Sequence, residues 1–239
     1  MYLVGDIGGT NTNLAWATQD GLSFSLSEVQ TFDSNGYQSF SEVVQAFLKL
    51  APPTSSMTAA CFGVAGPVDD NACRTTNFPW IIDGSALSKA FGGIPVRILN
   101  DLEALGYALD SIQEGDLLTL NEGEEKAGNR ALIAAGTGLG EALCIWDGAR
   151  YIVSPSEGGH SSFSPHGPLQ MGLLKSLEGI YGHVSGERVV SGLGIMEIFN
   201  YLGRRGVPAH PEVLASVEGG QGAAAVAEGA SQGDCPRSA

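Results

Sequence analysis

The run Gly5-Asp6-Ile7-Gly8-Gly9-Thr10-Asn11 sets a carboxylate, two adjacent glycines and two polar side chains directly behind an apolar start, Met1 to Val4. A strand that ends in glycines leaves successive backbone N–H groups free to converge on one anion, so this composition suits a turn that holds phosphate. Asp6 would repel phosphate directly; its use there is to hold a hydrated Mg²⁺ that bridges to the phosphate. The structural alternative is an ordinary Gly-Gly hairpin. A second such stretch, Gly136-Thr137-Gly138-Leu139-Gly140, follows another apolar run, Ala131 to Ala135. Asn100-Asp101 closes a short apolar segment, Pro95 to Leu99. An Asp at the carboxyl end of a buried strand can accept a proton from a substrate hydroxyl, or it can simply cap the next helix. Ser156-Glu157-Gly158-Gly159-His160 puts a Glu and a His three residues apart around a kink too irregular for a helix. Such a pair suits the adjacent hydroxyls of a sugar. A metal site lacks HExxH and clustered Cys ligands, and a solvated loop is the structural alternative. Glu187, in Ser185-Gly186-Glu187-Arg188, reads by itself as a first-turn helix carboxylate interacting with the dipole.

These groups need elements to hold them. Strand patterns run from Met1 to Val4 and Thr12 to Ala17, and a third strand is expected from Leu22 to Phe32 after the Asp20-Gly21 turn signal. Phe40, Val43, Val44, Phe47, Leu48 and Leu50 stand at three- and four-residue spacing, a core-facing helix that Pro52-Pro53 ends. A fourth strand spans Ala59 to Ala65, Asp83 is expected to cap a helix through Phe91, and Pro95 to Leu99 is a fifth strand leading into a helix over 102–109. The order is β-β-β-α-β-α-β-α. After a polar link, Gly115 to Asn129, the opening pattern returns. Strand 131–135, glycine turn, strand 142–146, turn Asp147-Gly148 and strand 150–154 repeat the first hairpin, which suggests two related lobes, each with one phosphate turn. Helices are expected at about 167–181, 187–205 and 211–230. Apolar strands matching the first copy's fourth and fifth do not follow before Asp234-Cys235-Pro236-Arg237-Ser238-Ala239, so the sequence is expected to be incomplete at its C-terminus.

A chain of 239 residues suits two lobes better than one small core. Its composition, 43% apolar and 16% charged, is globular, and 34 glycines imply many tight turns. A formal charge of −14 argues against nucleic acid or an anionic membrane surface as partner, so phosphate would be held by backbone amides and metal. Cys61, Cys73, Cys144 and Cys235 lack C-x-x-C spacing, no cationic leader opens the chain, and no apolar run approaches the roughly 20 residues of a membrane span; a cytoplasmic, soluble protein is expected. G-x-x-x-x-G-K-[ST], G-x-S-x-G and G-x-G-x-x-G are all missing.

GDIGGTNTNLA, the LND of Leu99 to Asp101, AAGTGLGEAL, SEGGHSSFSP and VSGERVVSGLG, five motifs over residues 1 to about 200, resemble in order and spacing the bacterial ATP-dependent glucokinases of the hexokinase/actin-like ATPase superfamily. The Cys-rich zinc motif of the related repressor/kinase branch does not follow His160. The resemblance implies an α/β, two-lobed actin-like ATPase (ribonuclease H-like) fold with the second lobe incomplete: residues 1–110 as a small lobe and 111–239 as a larger one. It implies transfer of the ATP γ-phosphate to the 6-hydroxyl of glucose, the first step of glycolysis. Asp101 would be the catalytic base, while Asn100, Glu157, His160 and Glu187 bind the other hydroxyls. Asp6, Gly8, Gly9, Thr10 and Asn11 would face ATP and Mg²⁺ from one lobe, with Gly136, Thr137 and Gly138 facing them from the other. Glucose and ATP are the expected partners, without nucleic acid or membrane, and a homodimer is a candidate assembly. The family pattern continues past Ala239 through an adenosine-binding region. A non-catalytic sugar-binding or regulatory member, and a kinase for another hexose, are the competing readings.

Overall fold

In the computed structural model, residues 1–21, 23–75, 80–124 and 126–232 are described. Leu22, the expected start of the third strand, and the stretch 234–239 with Cys235 lie outside the described residues. The chain divides into two compact units, Met1–Asn129 with Cys144–Pro155, and Arg130–Leu143 with Ser156–Ala239.

In the first unit β1 (Tyr2–Ile7) and β2 (Asn11–Asp20) form an antiparallel hairpin whose Leu3, Ile7 and Leu14 are fully buried. The single third strand expected after them is two strands, β3 (Ser23–Leu26) and β4 (Gln30–Asp33), both antiparallel to β2. The cause is a mismatch in count. Leu26 pairs with Ala17 and Gln30 with Leu14, so the incoming chain has one more residue between these pairs than β2 does, as at a β-bulge. It falls at Glu28–Val29, opposite Ala15, because Ser27 still faces Trp16: its N–H donates to the Trp16 carbonyl at 2.8 Å and its hydroxyl accepts the Trp16 N–H at 3.0 Å.

Helix α1 (Phe40–Leu50) forms where the apolar spacing predicts it, capped by the Ser39 hydroxyl and burying Phe40, Val43, Val44 and Phe47. Phe40 meets Phe62 edge to face at 4.9 Å, which seats the helix on β5 (Ala59–Val64), a strand parallel to β1. Three short strands follow that no sequence pattern announced, β6 (Val68–Asp69), β7 (Ala72–Arg74) and β8 (Ile81–Asp83). Asp70 and Asn71 between the first two have φ of 46° and 60°, the positive pair of a type I′ hairpin turn. Asp83 caps α2 (Gly84–Ala90) as expected. β9 (Val96–Asn100) then runs parallel to β5. Its outer edge is closed by one side chain: Asn71 donates from Nδ2 to the Val96 carbonyl at 3.0 Å and accepts the Ile98 N–H at 2.8 Å. The sheet order is β3-β2-β1-β5-β9 with β4 also on β2. Helix α3 (Asp101–Ala108) leaves directly from β9.

Next come β10 (Arg130–Ala135), β11 (Leu139–Trp146) and β12 (Tyr151–Ser156), three strands in that order in one sheet. A Cβ on Gly106 of α3 would lie 2.6 Å from Val153 Cγ1, so that glycine admits β12 residues against the helix within the first unit. The second unit is otherwise helical. α4 (Gly167–Tyr181) matches expectation. α5 (Gly192–Arg204) starts five residues later than the sequence pattern suggests, because the Ser191 hydroxyl accepts the Gly194 N–H and fixes its first turn there. The single helix expected over 211–230 is α6 (Pro211–Ser216) and α7 (Gly222–Ser231), parted by a wide turn at Val217–Gln221. Gly220 and Gly222, at φ of 93° and 50°, are the break. Among the described residues no helix is long and apolar enough to cross a membrane.

The Asn71 bridge makes a stability prediction. Asn71→Ala leaves a strand carbonyl and a strand N–H of β9 without partners and should cost about 1–3 kcal/mol, read as a lower urea midpoint with an unchanged m-value.

Candidate active site

In the first unit Ile7, Val64 and Asn100 stand in register across three parallel strands. Whatever follows them emerges at one edge of the sheet. After Ile7 comes a tight turn, closed by the Gly8 N–H donating to the Asn11 carbonyl at 2.9 Å. The N–H groups of Gly9 and Thr10 have no partner among the described residues, and Thr10 and Asn11 are exposed. Asp6 is exposed one residue before the sheet's edge. Asn13 Nδ2 donates to its Oδ2 at 3.5 Å, and Thr31 of β4 in turn donates to Asn13 Oδ1 at 2.8 Å.

After Asn100 comes α3, and here the local reading of the sequence needs correction. The helix N-cap is Asn100, whose Oδ1 accepts the N–H groups of Leu102 and Glu103 at 3.0 and 3.3 Å, while Asp101 is the first helical residue. Asn100 Nδ2 also donates to the Gly66 carbonyl at 3.1 Å. Most of that amide is engaged in shaping the strand end, which leaves Asp101 free of the capping task. Its Oδ1 accepts the Leu102 N–H at 2.9 Å, with the Asp101 N–H and the Asn100 side chain as lesser donors to the carboxylate. Burial pushes the Asp101 carboxyl above its ordinary range; the Leu102 N–H pulls it back, and the negative charge of Asp6 pushes it up further. A half-buried carboxylate that resists ionisation is suited to accept a proton from a hydroxyl.

The second unit carries the other candidates. The Gly136 N–H donates to the Gly138 carbonyl at 2.9 Å, closing a turn like that after β1. Glu157 precedes one 3-10 turn, Gly158–His160, in place of the wholly irregular loop expected. His160 Nε2 lies 3.6 Å from Glu157 Oε2 and its Nδ1 lies 3.9 Å from Glu187 Oε1. The structure therefore brings Glu157, His160 and Glu187 together. With the Glu157 side chain 81% exposed, the ion pair adds little stability. Glu187 is no helix-dipole carboxylate, since α5 begins five residues later. Its Oε2 accepts the Leu139 N–H at 3.1 Å, and a Cβ on Gly138 would sit 2.5 Å from that oxygen. The Glu187 N–H donates to the Gly159 carbonyl and the Gly192 N–H to the Gly136 carbonyl, at 2.9 and 2.8 Å. One segment, 186–192, thus ties the glycine turn to the Glu-His loop within this unit. Sequence spacing missed Glu141, whose carboxylate lies against Gly158, and Gly159, where a Cβ would strike the Leu139 carbonyl.

A family model described as Glucokinase matches residues 3–239. The chain belongs to the glucokinase family. It is 39% identical over 215 residues to a curated glucokinase of a Synechocystis species, covering 84% of this chain and 60% of that protein. It is 37% identical over 222 residues to one of a Nostoc species, covering 91% and 65%. The chain therefore spans somewhat under two thirds of the length of these curated relatives. A solved glucokinase from an Antarctic psychrotroph superposes with a TM-score of 0.81 at 29% identity, over 99% of this chain and 72% of its own. The glucokinase from Balamuthia mandrillaris in complex with glucose, at 24% identity and a TM-score of 0.70, shares the fold. The α/β actin-like ATPase fold expected from the motifs is that of these glucokinase-family neighbours.

The raised Asp101 pKa fixes the sign of a pH effect. A carboxyl whose folded pKa exceeds its unfolded one contributes stability below the unfolded pKa, and that contribution is lost as pH rises through the folded pKa. Asp101→Asn keeps the acceptor for Leu102 and removes the charge. It should raise the melting temperature at pH 8 by more than it does at pH 5, both read by calorimetry.

Proposed function

We propose that this chain carries the phosphate- and sugar-handling part of an ATP-dependent glucokinase that transfers the γ-phosphate to the 6-hydroxyl of glucose. The observation that carries the reading is the Asp101 carboxylate, relieved of capping by Asn100, half-buried and held near the Asp6 charge at the end of β9. Membership of the glucokinase family supports the substrate pair.

In this reading Asp101 accepts the 6-hydroxyl proton as the oxygen attacks phosphorus, and a carboxylate reluctant to ionise holds that proton readily afterwards. Asn100, Glu157, His160 and Glu187 hydrogen-bond the remaining hydroxyls, the carboxylates accepting hydroxyl protons and the amide and imidazole N–H groups donating to hydroxyl oxygens. In the first unit the N–H groups of Gly9 and Thr10 bind phosphate oxygens, with Gly8 and Asn11 closing their turn; in the second unit, taken by itself, Gly136 closes the turn and the N–H groups of Thr137 and Gly138 suit the same task. Among the described residues no three His, Cys, Asp or Glu side chains cluster as a self-sufficient metal site. A lone exposed Asp6 fits magnesium, which takes one or two carboxylates and completes its shell with water and phosphate oxygens. Bound there through water, Mg²⁺ would neutralise phosphate charge, a task that a chain of net charge −14 leaves to metal and backbone. Cys61, Cys73 and Cys144 are free thiols, which supports a reducing, cytoplasmic setting.

Asp101→Ala should lower the turnover of glucose 6-phosphorylation by about 10²–10⁴-fold, measured by a coupled assay for the sugar phosphate, while calorimetry still detects glucose binding. Unchanged turnover overturns the reading.

A further inference from the structure

We infer that Ser34 is a positioning residue of the first phosphate turn, setting which backbone groups that turn offers to an anion. The inference rests on the proposed phosphate role of the Gly8–Asn11 turn. Ser34 opens the 3-10 turn after β4, capped by Asp33, and is fully buried, as is Thr12 of β2. Three contacts join it to the turn and its root. Its hydroxyl donates to the Gly8 carbonyl at 3.0 Å, its N–H donates to the Thr10 carbonyl at 2.8 Å, and its oxygen lies 2.9 Å from Thr12 Oγ1. Ser has a single hydroxyl proton. With that proton on Gly8, Thr12 must be the donor in the Thr12–Ser34 pair, so the network has one direction: Thr12 to Ser34 to Gly8.

The consequence lies in the turn's polarity. Each peptide unit presents an N–H or a C=O, and a carbonyl facing a phosphate repels it. Ser34 draws the Gly8 and Thr10 carbonyls toward the interior, while the Gly9 and Thr10 N–H groups keep no partner among the described residues. A nest for an anion needs N–H groups on one side and carbonyls retired to the other. The glycines supply permissive backbone; the buried hydroxyl selects the orientation, and because it is fixed before ligand arrives, no reorganisation is needed on binding.

The test is calorimetric titration of the chain with Mg-ATP and, separately, with glucose, for wild type, Ser34→Ala and Ser34→Cys. Cys keeps the shape of the side chain with a slightly larger atom but is a weak donor; beside Ala, which removes the atom, it separates hydrogen bonding from packing and stands in if the Ala variant does not fold. Both variants should bind Mg-ATP about tenfold more weakly, with glucose affinity within twofold of wild type and the affinity ratio unchanged by temperature below the melting range. A Ser34→Cys variant with wild-type Mg-ATP affinity, or loss of glucose affinity in parallel with ATP, assigns Ser34 to packing and overturns the inference alone. Wild-type chain that binds glucose but no Mg-ATP overturns the nucleotide reading and this inference with it.

Discussion

Ile7, Val64 and Asn100 stand opposite one another in three parallel strands, and from this register the chemistry of the first unit follows. Parallel pairing sends all three chain segments out at one sheet edge, so a glycine turn, a proline-flanked bend and a helix start meet there although they are separated by dozens of residues. The alternation of buried and half-buried positions along β5 fixes that register, because a slip of one residue would turn Phe62 and Val64 out of the core. Asp6 and Asp101 come near each other for that reason, and their mutual repulsion is built into the fold.

Asn100 and Asp101 divide a task that one residue would perform badly. A capping carboxylate accepts two N–H bonds, is stabilised as an anion and becomes a poor base. Here the neutral amide caps α3 and binds the Gly66 carbonyl, while the acid is partly buried, and that burial outweighs the hydrogen bonds it accepts, the Leu102 N–H first among them.

In the second unit the tethers run between backbone groups and one carboxylate. Glu187 is shared: one oxygen points to His160 and the other holds the Leu139 N–H. A residue that serves the Glu-His loop and the glycine turn at once couples the shapes of both. Gly159 is required there for space, since a Cβ would strike the Leu139 carbonyl, whereas a side chain at Gly138 would displace the Glu187 carboxylate.

Much of this was legible in the residues themselves. The amphipathic spacing of α1, the Asp83 cap, the α4 boundaries and the two strand–glycine–strand hairpins are local patterns, and local patterns survive folding because they arise from backbone geometry and nearest-neighbour burial. The five motifs carried the family. What sequence could not deliver is what depends on partners far along the chain. The break between β3 and β4 comes from a one-residue mismatch with β2; the β6–β7 hairpin is too short for any periodicity; the start of α5 is set by Ser191 and not by apolar spacing. Ser34 looks like any turn serine until β4 is laid beside β2 and its hydroxyl meets Gly8. Residue types determined which polar groups and glycines were available. Tertiary pairing decided that Asn100 and not Asp101 caps α3 and that the Gly8 and Thr10 carbonyls turn to Ser34, because hydrogen-bond partners and burial exist only once the strands are in register.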